Sequence, residues 1–324
     1  MAIPLSAILP GLLIAASFAG LCAALRVRLR ISPFIAPMTA VSGIIVSLML
    51  AGMLGVLKIA AYCLYILGIL GLLYACIYKR SAPHWGVLAL FVLFASFLVF
   101  RFHASMLRHY DDFTHWGVIV SHLLRHDRFP AAQDAAITFQ SYPPGAACFI
   151  YYVARAVGNY EGVYLIAQNF MLGVFFLPIF ALIGRRKRVL YPAAIALFVF
   201  YFHYACADSN LLVDNLLSFY GIGLTATAFY YRDDPKQALT AVLPAMFGVV
   251  YIKNSGMFFA VVTAAVIAYF AWQNGRRSKR FVWLLISSPI LCYLVWELFI
   301  KFHFPSALRS NHAISLYRYA RELY

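Results

Sequence analysis

The chain alternates long apolar segments with short polar connections from about position 3 to position 300. Ten apolar segments stand out, and at 1.5 Å per residue even the shorter ones, about 17 residues long, nearly match the hydrocarbon core of a bilayer. They are 3–25, 34–55, 58–78, 85–101, 161–184, 189–205, 212–231, 237–252, 254–273 and 281–300. The short alternating segments of a closed β-barrel are absent from the sequence. The pattern predicts an all-α fold, a polytopic membrane bundle of about ten spans.

Composition narrows the class of protein. Hydrophobic residues fill 64% of the 324 positions and charged residues only 11%, and the mean hydropathy of +0.82 lies outside the range of soluble domains. The net charge of +15 would suit a nucleic-acid partner, but Lys and Arg are concentrated in short clusters between apolar segments, as orientation signals are. The clusters are Arg26/Arg28/Arg30, Lys79/Arg80, Arg185/Arg186/Lys187/Arg188, Arg232/Lys236 and Arg276/Arg277/Lys279/Arg280. We therefore expect membrane lipids, and no nucleic acid, as partners.

The basic clusters also predict the topology. All five lie on the cytoplasmic side, which basic loops prefer, provided that the segment 142–158 does not cross the membrane. That segment is then a helix at the outer interface, or one that dips into the bilayer and returns. The loop 102–158 becomes extracytoplasmic. Because the first basic residue, Arg26, follows the first apolar stretch, we expect a first spanning helix with an outer N-terminus and no cleaved leader.

The external loop opens with a dense group of titratable residues, "HYDDFTHWGVIVSHLLRHDRFP". Asp111 and Asp112 stand at the start of a predicted amphipathic interfacial helix. Its apolar face is formed by Phe113, Trp116, Val120, Leu123 and Leu124, whereas His115, His122 and Arg125 fall elsewhere around the helix. Helix capping is one interpretation of the acidic pair, because a carboxylate is stabilising at a helix N-terminus. A catalytic role is the other.

Further ionisable residues are predicted at the same membrane face. Asp208 and Asp214 lie at the outer ends of two spans, and Lys253 lies at the tip of an outer hairpin. Capping would explain each Asp and a solvated turn would explain Lys253, but ionisable groups at the rim of a membrane bundle are functional candidates. His122 and His126 have the i, i+4 spacing of metal ligands, yet no third ligand is close in the sequence.

The order of these motifs resembles that of the C-type (GT-C) membrane glycosyltransferases, such as the protein O-mannosyltransferases and the lipid A aminoarabinose transferases. "YDDFTHWGVIVSHLLRHDRFP" is similar to the acidic loop helix of that superfamily, and "FQSYPPGAACFIYY" to its aromatic and proline motif. "LLVDNLLSFYGIG" and "GVVYIKNSG" are similar to a later Asp-containing helix start and to a Lys-containing hairpin.

The resemblance implies a division of the chain. Residues 85–301 form a seven-helix core that includes the external loop 102–158, and residues 1–84 form additional N-terminal transmembrane helices. Residues 302–324 form an external C-terminal segment whose early end suggests a minimal or incomplete family member.

The resemblance also implies an activity. It implies inverting transfer of a sugar from a polyprenyl-phosphate donor to a hydroxyl of a glycan, lipid or protein acceptor, at the extracytoplasmic face of a bacterial plasma membrane. A carboxylate base is needed for such a step, and the implied catalytic residues are Asp111 and Asp112. The implied donor-binding residues are Lys253, His115, Arg125, Asp208, Asp214 and Tyr142. The resemblance leaves a divalent metal possible as a cofactor but does not imply one. The metal-binding Glu of the aminoarabinose transferases has no counterpart near Ser141 and Tyr142.

Two other functions are consistent with a polytopic chain. A transporter or lipid flippase would be expected to carry charged residues at mid-depth or broken helices in repeated halves, and neither stands out in the sequence. A membrane acyltransferase would need a catalytic His or Ser deep in the bundle, whereas His203 and His303 fall near the ends of predicted spans. A lipid-facing groove beside Asp111 would favour the transferase, and a continuous central pathway would favour transport.

Overall fold

Each of the ten apolar segments forms a helix in the computed structural model. The structure describes residues 2–78, 85–131, 134, 139, 141–183, 187–206, 209–275 and 279–304. The helices are α1 (Ile8–Leu29), α2 (Ala36–Met53), α3 (Leu57–Leu73), α4 (Trp85–Phe102), α5 (Gly117–His126), α6 (Gly145–Val157), α7 (Glu161–Phe176), α8 (Pro178–Leu182), α9 (Lys187–Cys206), α10 (Val213–Tyr230), α11 (Pro235–Ile252), α12 (Gly256–Gln273) and α13 (Lys279–His303). The described ranges contain no β-strand, so the all-α prediction is confirmed.

Seven helical segments among the described residues are long and apolar enough to cross a membrane. They are Leu5–Leu29, Ala36–Met53, Leu57–Ile77, Glu161–Leu182, Pro235–Ile252, Gly256–Gln273 and Phe281–His303. The helices α4 and α9 contain shorter apolar stretches, Gly86–Phe102 and Leu190–Phe200, and α10 is not among the candidates. The fold is therefore that of a multi-pass membrane protein, and the crossing of all ten predicted spans stays a prediction.

Two hydrogen bonds bring the connections that carry basic clusters to one end of the bundle. The Gln237 side-chain amide donates to the Leu29 carbonyl at 2.6 Å, and the Asn274 amide donates to the Arg232 carbonyl at 2.7 Å. The α1–α2, α10–α11 and α12–α13 connections therefore lie together, and we call this the basic end. The Lys79/Arg80 cluster lies outside the described residues, as do 185–186 and 276–278.

The centre of the bundle is formed by α2, which packs against α1, α6, α7 and α11. Its buried positions include small and hydroxylic residues that permit close helix packing, and the Thr39 hydroxyl donates to the Ala241 carbonyl of α11 at 2.9 Å. The Ser42 and Tyr220 hydroxyls are hydrogen-bonded to each other. Polar contacts of this kind between membrane helices contribute about 0.6 kcal/mol each. The helices of 1–84 thus pack into the same bundle as those of 85–301.

The segment 142–158 contains α6, a helix of 13 residues that is buried along most of its length. At 1.5 Å per residue it is about 20 Å long, too short to span a hydrocarbon core of about 30 Å. It packs against α2, α5 and α7. Gly145 in its first turn lies against the end of α11, where a Cβ atom would overlap the Tyr251 carbonyl. Glycine therefore lets the start of α6 approach the residues just before Lys253.

The loop helix differs from its predicted amphipathic face. A π-helical turn, Asp112–Trp116, precedes α5, and the wider turn shifts the angular position of the residues within it. His115 in this turn, which we predicted away from the apolar face, is buried, whereas Phe113, predicted on that face, is 57% exposed. His122, also predicted away from that face, is buried as well, although it lies in α5 and outside the π-helical turn. The helix prediction is correct here, and the assignment of these three side chains to its faces is wrong.

Candidate functional site

Asp112 joins the loop 102–158 to the start of α10. Its side chain is only 1% exposed, and its Oδ1 atom accepts a hydrogen bond of 2.9 Å from the backbone N–H of Leu211, 99 residues later in the chain. The other oxygen, Oδ2, is buried and has no hydrogen-bond partner among the described residues. Burial raises the pKa of Asp112, although the Leu211 hydrogen bond acts in the opposite direction. Asp112 is thus fixed in place by a tertiary contact.

Asp111 lies beside Asp112 but in a different environment. Its side chain is 48% exposed, and Oδ2 lies 3.8 Å from Nδ1 of His109. It occupies the N-cap position of the π-helical turn, yet its side chain makes no capping hydrogen bond. Neither carboxylate of the pair therefore acts as a side-chain cap. Asp111 is the member of the pair that is accessible to a ligand.

His115 lies on the turn that carries the acidic pair, enclosed by aromatic rings. Its ring centroid lies 4.3 Å from Trp116, 5.4 Å from Phe139 and 5.5 Å from Tyr142. Both ring nitrogens are buried and lack hydrogen-bond partners among the described residues. Burial lowers the pKa of His115 to about 3, so the ring is neutral at physiological pH. The structure therefore brings two of the predicted donor-binding residues, His115 and Tyr142, into contact.

Lys253 and Asp214 form an ion pair between α11 and α10. The Lys253 ammonium lies 2.7 Å from Oδ1 of Asp214, whose side chain is 71% exposed. Lys253 directly follows α11 in extended backbone conformation, and Asp214 lies in the first turn of α10. Leu211 lies three residues before Asp214, so the Asp112 hydrogen bond and the Lys253 ion pair both involve the start of α10. We call this region, opposite to the basic end, the site end.

Two candidates do not join this group. Arg125 is exposed in the last turn of α5, and it makes no hydrogen bond or ion pair with another candidate among the described residues. Asp208 lies outside the described residues. The group at the site end is therefore formed by Asp111, Asp112, His115, Tyr142, Asp214 and Lys253.

Sequence analysis missed Asp127, which connects three helices. Its Oδ1 accepts a 2.6 Å hydrogen bond from the Tyr151 hydroxyl, and its Oδ2 lies 3.3 Å from Arg155 and 3.6 Å from Lys58. Asp127 ends α5 in the left-handed conformation, with φ of 52°. An Asp directly after an amphipathic helix is a recognisable signal, because Asn and Asp tolerate that conformation better than other non-glycine residues. The contacts hold α5 and α6 against the start of α3.

The two histidines of α5 do not form a metal centre in the part of the chain that the structure describes. Their rings lie 4.7 Å apart, and Nε2 of His122 lies 3.8 Å from Oδ2 of Asp134. Asp134 in turn accepts hydrogen bonds of 2.8 and 3.2 Å from Arg128, which lower its pKa. The described residues contain no group of three or more His, Cys, Asp or Glu side chains that could hold a metal ion.

A lipid-sized apolar groove runs along α1. It has a volume of about 990 Å³ and is bordered mainly by α1, α4, α6 and α7. From Ile8 to Arg26 it follows 19 residues of α1, a rise of about 27 Å that is close to the thickness of a hydrocarbon core. The end of the groove near Ile8, away from Arg26, reaches Val99 and Phe100 of α4, next to the segment that leads to Asp111. None of the described candidate residues lines the groove itself.

Comparison with known proteins gives no match: no family model, no curated protein and no solved structure is significantly similar to the chain. The resemblance to C-type glycosyltransferases therefore stays a prediction that rests on motif order and topology.

Proposed function

We propose that the protein is an inverting membrane glycosyltransferase that uses a polyprenyl-phosphate-linked sugar at the extracytoplasmic face. The observation that carries the proposal is the assembly of the separate motifs at the site end. The acidic pair and Tyr142 come from one loop, Asp214 from α10 and Lys253 from the α11–α12 turn. The Asp112–Leu211 and Lys253–Asp214 contacts join positions 99 and 39 residues apart.

Asp111 is the proposed general base. The acceptor hydroxyl attacks the anomeric carbon, its proton passes to the Asp111 carboxylate, and the bond between that carbon and the phosphate oxygen breaks. General-base assistance of this kind contributes about 10²–10⁴ in rate. The exposure of Asp111 and the absence of a capping hydrogen bond support this role. Asp112 holds the loop in position through Leu211.

Lys253 is the proposed ligand of the donor phosphate. An ammonium group is a compact charge that suits phosphate, and it would stabilise the negative charge that develops on the leaving group. In the structure, the position beside this ammonium is taken by the Asp214 carboxylate, whose Oδ1 lies 2.7 Å from the Lys253 nitrogen. A donor phosphate would take that position, and the exposed Asp214 side chain would move into solvent.

The apolar groove along α1 supports a lipid-linked donor over a soluble one. A prenyl chain gains about 0.8 kcal/mol for each buried CH₂ group, and the groove extends over most of the depth of a bilayer. Its lining is predominantly apolar and Arg26 is the one charged residue among its lining positions. A flippase would instead need a polar path for the lipid head group, so the groove favours the transferase.

The topology of the proposal places the basic end in the cytoplasm. The basic connections that meet there obey the positive-inside rule in that orientation. The site end then faces the outside of a plasma membrane, where the proposed acceptor is a glycan, lipid or protein hydroxyl. No step of the proposed reaction depends on a metal ion.

Three variants of the full-length protein in lipid nanodiscs test the proposal. Lys253→Ala should weaken binding of undecaprenyl phosphate at least about tenfold, the effect of losing one charge-assisted hydrogen bond. Lys253→Arg should restore part of that affinity, since a planar guanidinium only partly replaces an ammonium. Asp111→Asn should bind the lipid normally but lower sugar transfer from polyprenyl-phosphate-linked hexoses by about 10²-fold or more.

Matched controls lie at the basic end. Lys236→Ala removes an exposed ammonium from the first turn of the same helix α11, and Asp233→Asn neutralises a carboxylate that is 88% exposed. Both should leave lipid binding and transfer unchanged. The proposal is wrong if Lys253→Ala and Asp111→Asn behave like these controls.

A further inference from the structure

A second cavity opens at the site end between the external loop, the α11–α12 turn and the last turns of α13. It has a volume of about 340 Å³. Two of its lining residues, Ser141 and Asn254, are the immediate sequence neighbours of Tyr142 and Lys253. The indole N–H of Trp296 donates a 3.1 Å hydrogen bond to the Ser141 carbonyl, which holds the loop against α13. The cavity is therefore adjacent to the proposed donor-phosphate site and separate from the apolar groove.

The lining of the cavity combines polar and apolar groups in a small space. Glu297 contributes a carboxylate, Lys301 an ammonium, Asn254 an amide and Ser141 a hydroxyl. The remaining lining residues are Leu294, Leu298 and Ile300. The volume lies at the lower end of the range of about 300–1,000 Å³ for small-molecule sites. A sugar ring matches this lining, because its hydroxyls both donate and accept hydrogen bonds while its C–H faces pack on aliphatic side chains.

Glu297 is the least expected member of this lining. It lies within the candidate span Phe281–His303, six residues before the end of the helix. At 1.5 Å per residue that is about 9 Å from the helix end. A carboxylate inside a span is unfavourable in lipid, and such residues generally face a cavity and serve a function. The structure agrees, because Glu297 borders the cavity.

We infer that this cavity binds a single hexose-sized sugar unit through Glu297, Asn254 and Lys301. The inference rests on the proposed function, because the cavity adjoins the site where the sugar would be transferred. The same polyhydroxylated chemistry is found in the sugar of the donor and in a terminal sugar of the acceptor. A donor sugar would reach the cavity only with its polyprenyl phosphate attached, whereas an acceptor sugar would reach it without polyprenyl phosphate.

Protection of an introduced cysteine tests the inference without any measurement of transfer. Leu298→Cys places a thiol in the cavity lining, and Phe302→Cys places one on the same helix at a position that is 80% exposed and outside the lining. The rate of modification by a water-soluble maleimide is followed at each site by peptide mass spectrometry. The probes are the methyl glycosides of glucose, mannose and galactose, and undecaprenyl-phosphate-linked glucose or mannose in nanodiscs.

Sugar binding should slow modification at position 298 at least about fivefold and leave position 302 unchanged. Protection by a methyl glycoside identifies an acceptor sugar, and protection only by the lipid-linked sugar identifies a donor sugar. Undecaprenyl phosphate without a sugar should not protect, and Glu297→Gln should abolish protection by the effective probe.

The inference is overturned if no probe slows modification at 298 more than at 302, or if Glu297→Gln leaves the protection intact. Failure of the proposed function gives a different result. In that case Asp111→Asn and Lys253→Ala behave as wild type, while protection at 298 is still observed.

Discussion

The hydrogen bond between Asp112 and Leu211 is open to a direct energetic test. Two substitutions at Asp112 separate the bond from the charge. Asp112→Asn keeps an oxygen that can accept from the Leu211 N–H, whereas Asp112→Ala removes the acceptor. Because Leu211 is 1% exposed, its N–H would then be buried without a partner.

The expected loss of stability in Asp112→Ala follows from the burial of the Leu211 N–H. An unpaired buried donor destabilises a folded protein by about 1–3 kcal/mol, so the alanine variant should be less stable than the asparagine variant by about that amount. At about 2 °C per kcal/mol, the lower end of the range for domains of 150–250 residues, its melting temperature should be about 2–6 °C lower.

The charge of Asp112 should appear separately, in the pH dependence of the melting temperature. Burial raises the folded-state pKa of Asp112 above its ordinary value near 3.8. The stabilisation from the protonated carboxyl is therefore complete below pH 3.8 and is lost as the pH rises through the raised folded-state pKa. Asp112→Asn lacks this loss, so its melting temperature relative to wild type should be higher at pH 7 than at pH 4.

The assay is thermal unfolding of the full-length protein in detergent, followed by tryptophan fluorescence at several pH values. Asp111 provides the matched control, because its side chain is about half exposed and, within the described part of the chain, accepts no backbone hydrogen bond. The alanine and asparagine variants of Asp111 should melt within about 1 °C of each other. Equal melting temperatures for the two Asp112 variants would show that the Leu211 contact contributes nothing, and the account of Asp112 as a tertiary anchor would be wrong.

Two further predictions concern pH and topology. Burial lowers the pKa of His115 to about 3, so its contribution to stability is complete above the ordinary value of 6.5 and is lost progressively as the pH falls from there towards 3. His115→Phe should therefore lose less thermal stability than wild type between pH 7 and pH 5, and an equally large loss would contradict this origin. In intact cells, an impermeant maleimide should modify Tyr110→Cys, at a position 67% exposed on the loop, and should not modify Asp233→Cys at the basic end; the reverse pattern would invert the proposed topology.

The helices could be predicted from the sequence because the positions of apolar segments depend only on local composition. Each expected segment is helical, and the predicted ends differ from the observed ones mainly at the termini, as for 3–25 and Ile8–Leu29. The number of helices that cross the membrane could not be settled in the same way. Length and hydropathy separate seven candidates from shorter apolar helices such as α6, whose burial depends on its neighbours in the bundle.

The candidate site was predicted in its residue types but not in its geometry. The ionisable residues at the rim could be selected because charge is rare in this chain. The sequence did not show that Asp112 is buried while Asp111 is exposed. The apolar periodicity of an ordinary α-helix does not reveal the π-helical turn in which Asp112 lies. Likewise, the Lys253–Asp214 pair depends on how α10 packs against α11, and the cavity beside Glu297 depends on how α13 packs against the loop 102–158 and the α11–α12 turn.

The contact between Asp112 and Leu211 has a consequence for biosynthesis. Because the two residues are 99 positions apart, a ribosome that adds about 5–20 residues per second makes Leu211 about 5–20 s after Asp112. During that interval the Asp112 carboxylate lacks its partner at position 211, although the spans before it can already be inserted. The loop therefore cannot reach its final conformation until the start of α10 has been synthesised. A translational pause before residue 211 would prolong the life of this incomplete intermediate, and quality-control proteases would have that much longer to recognise it.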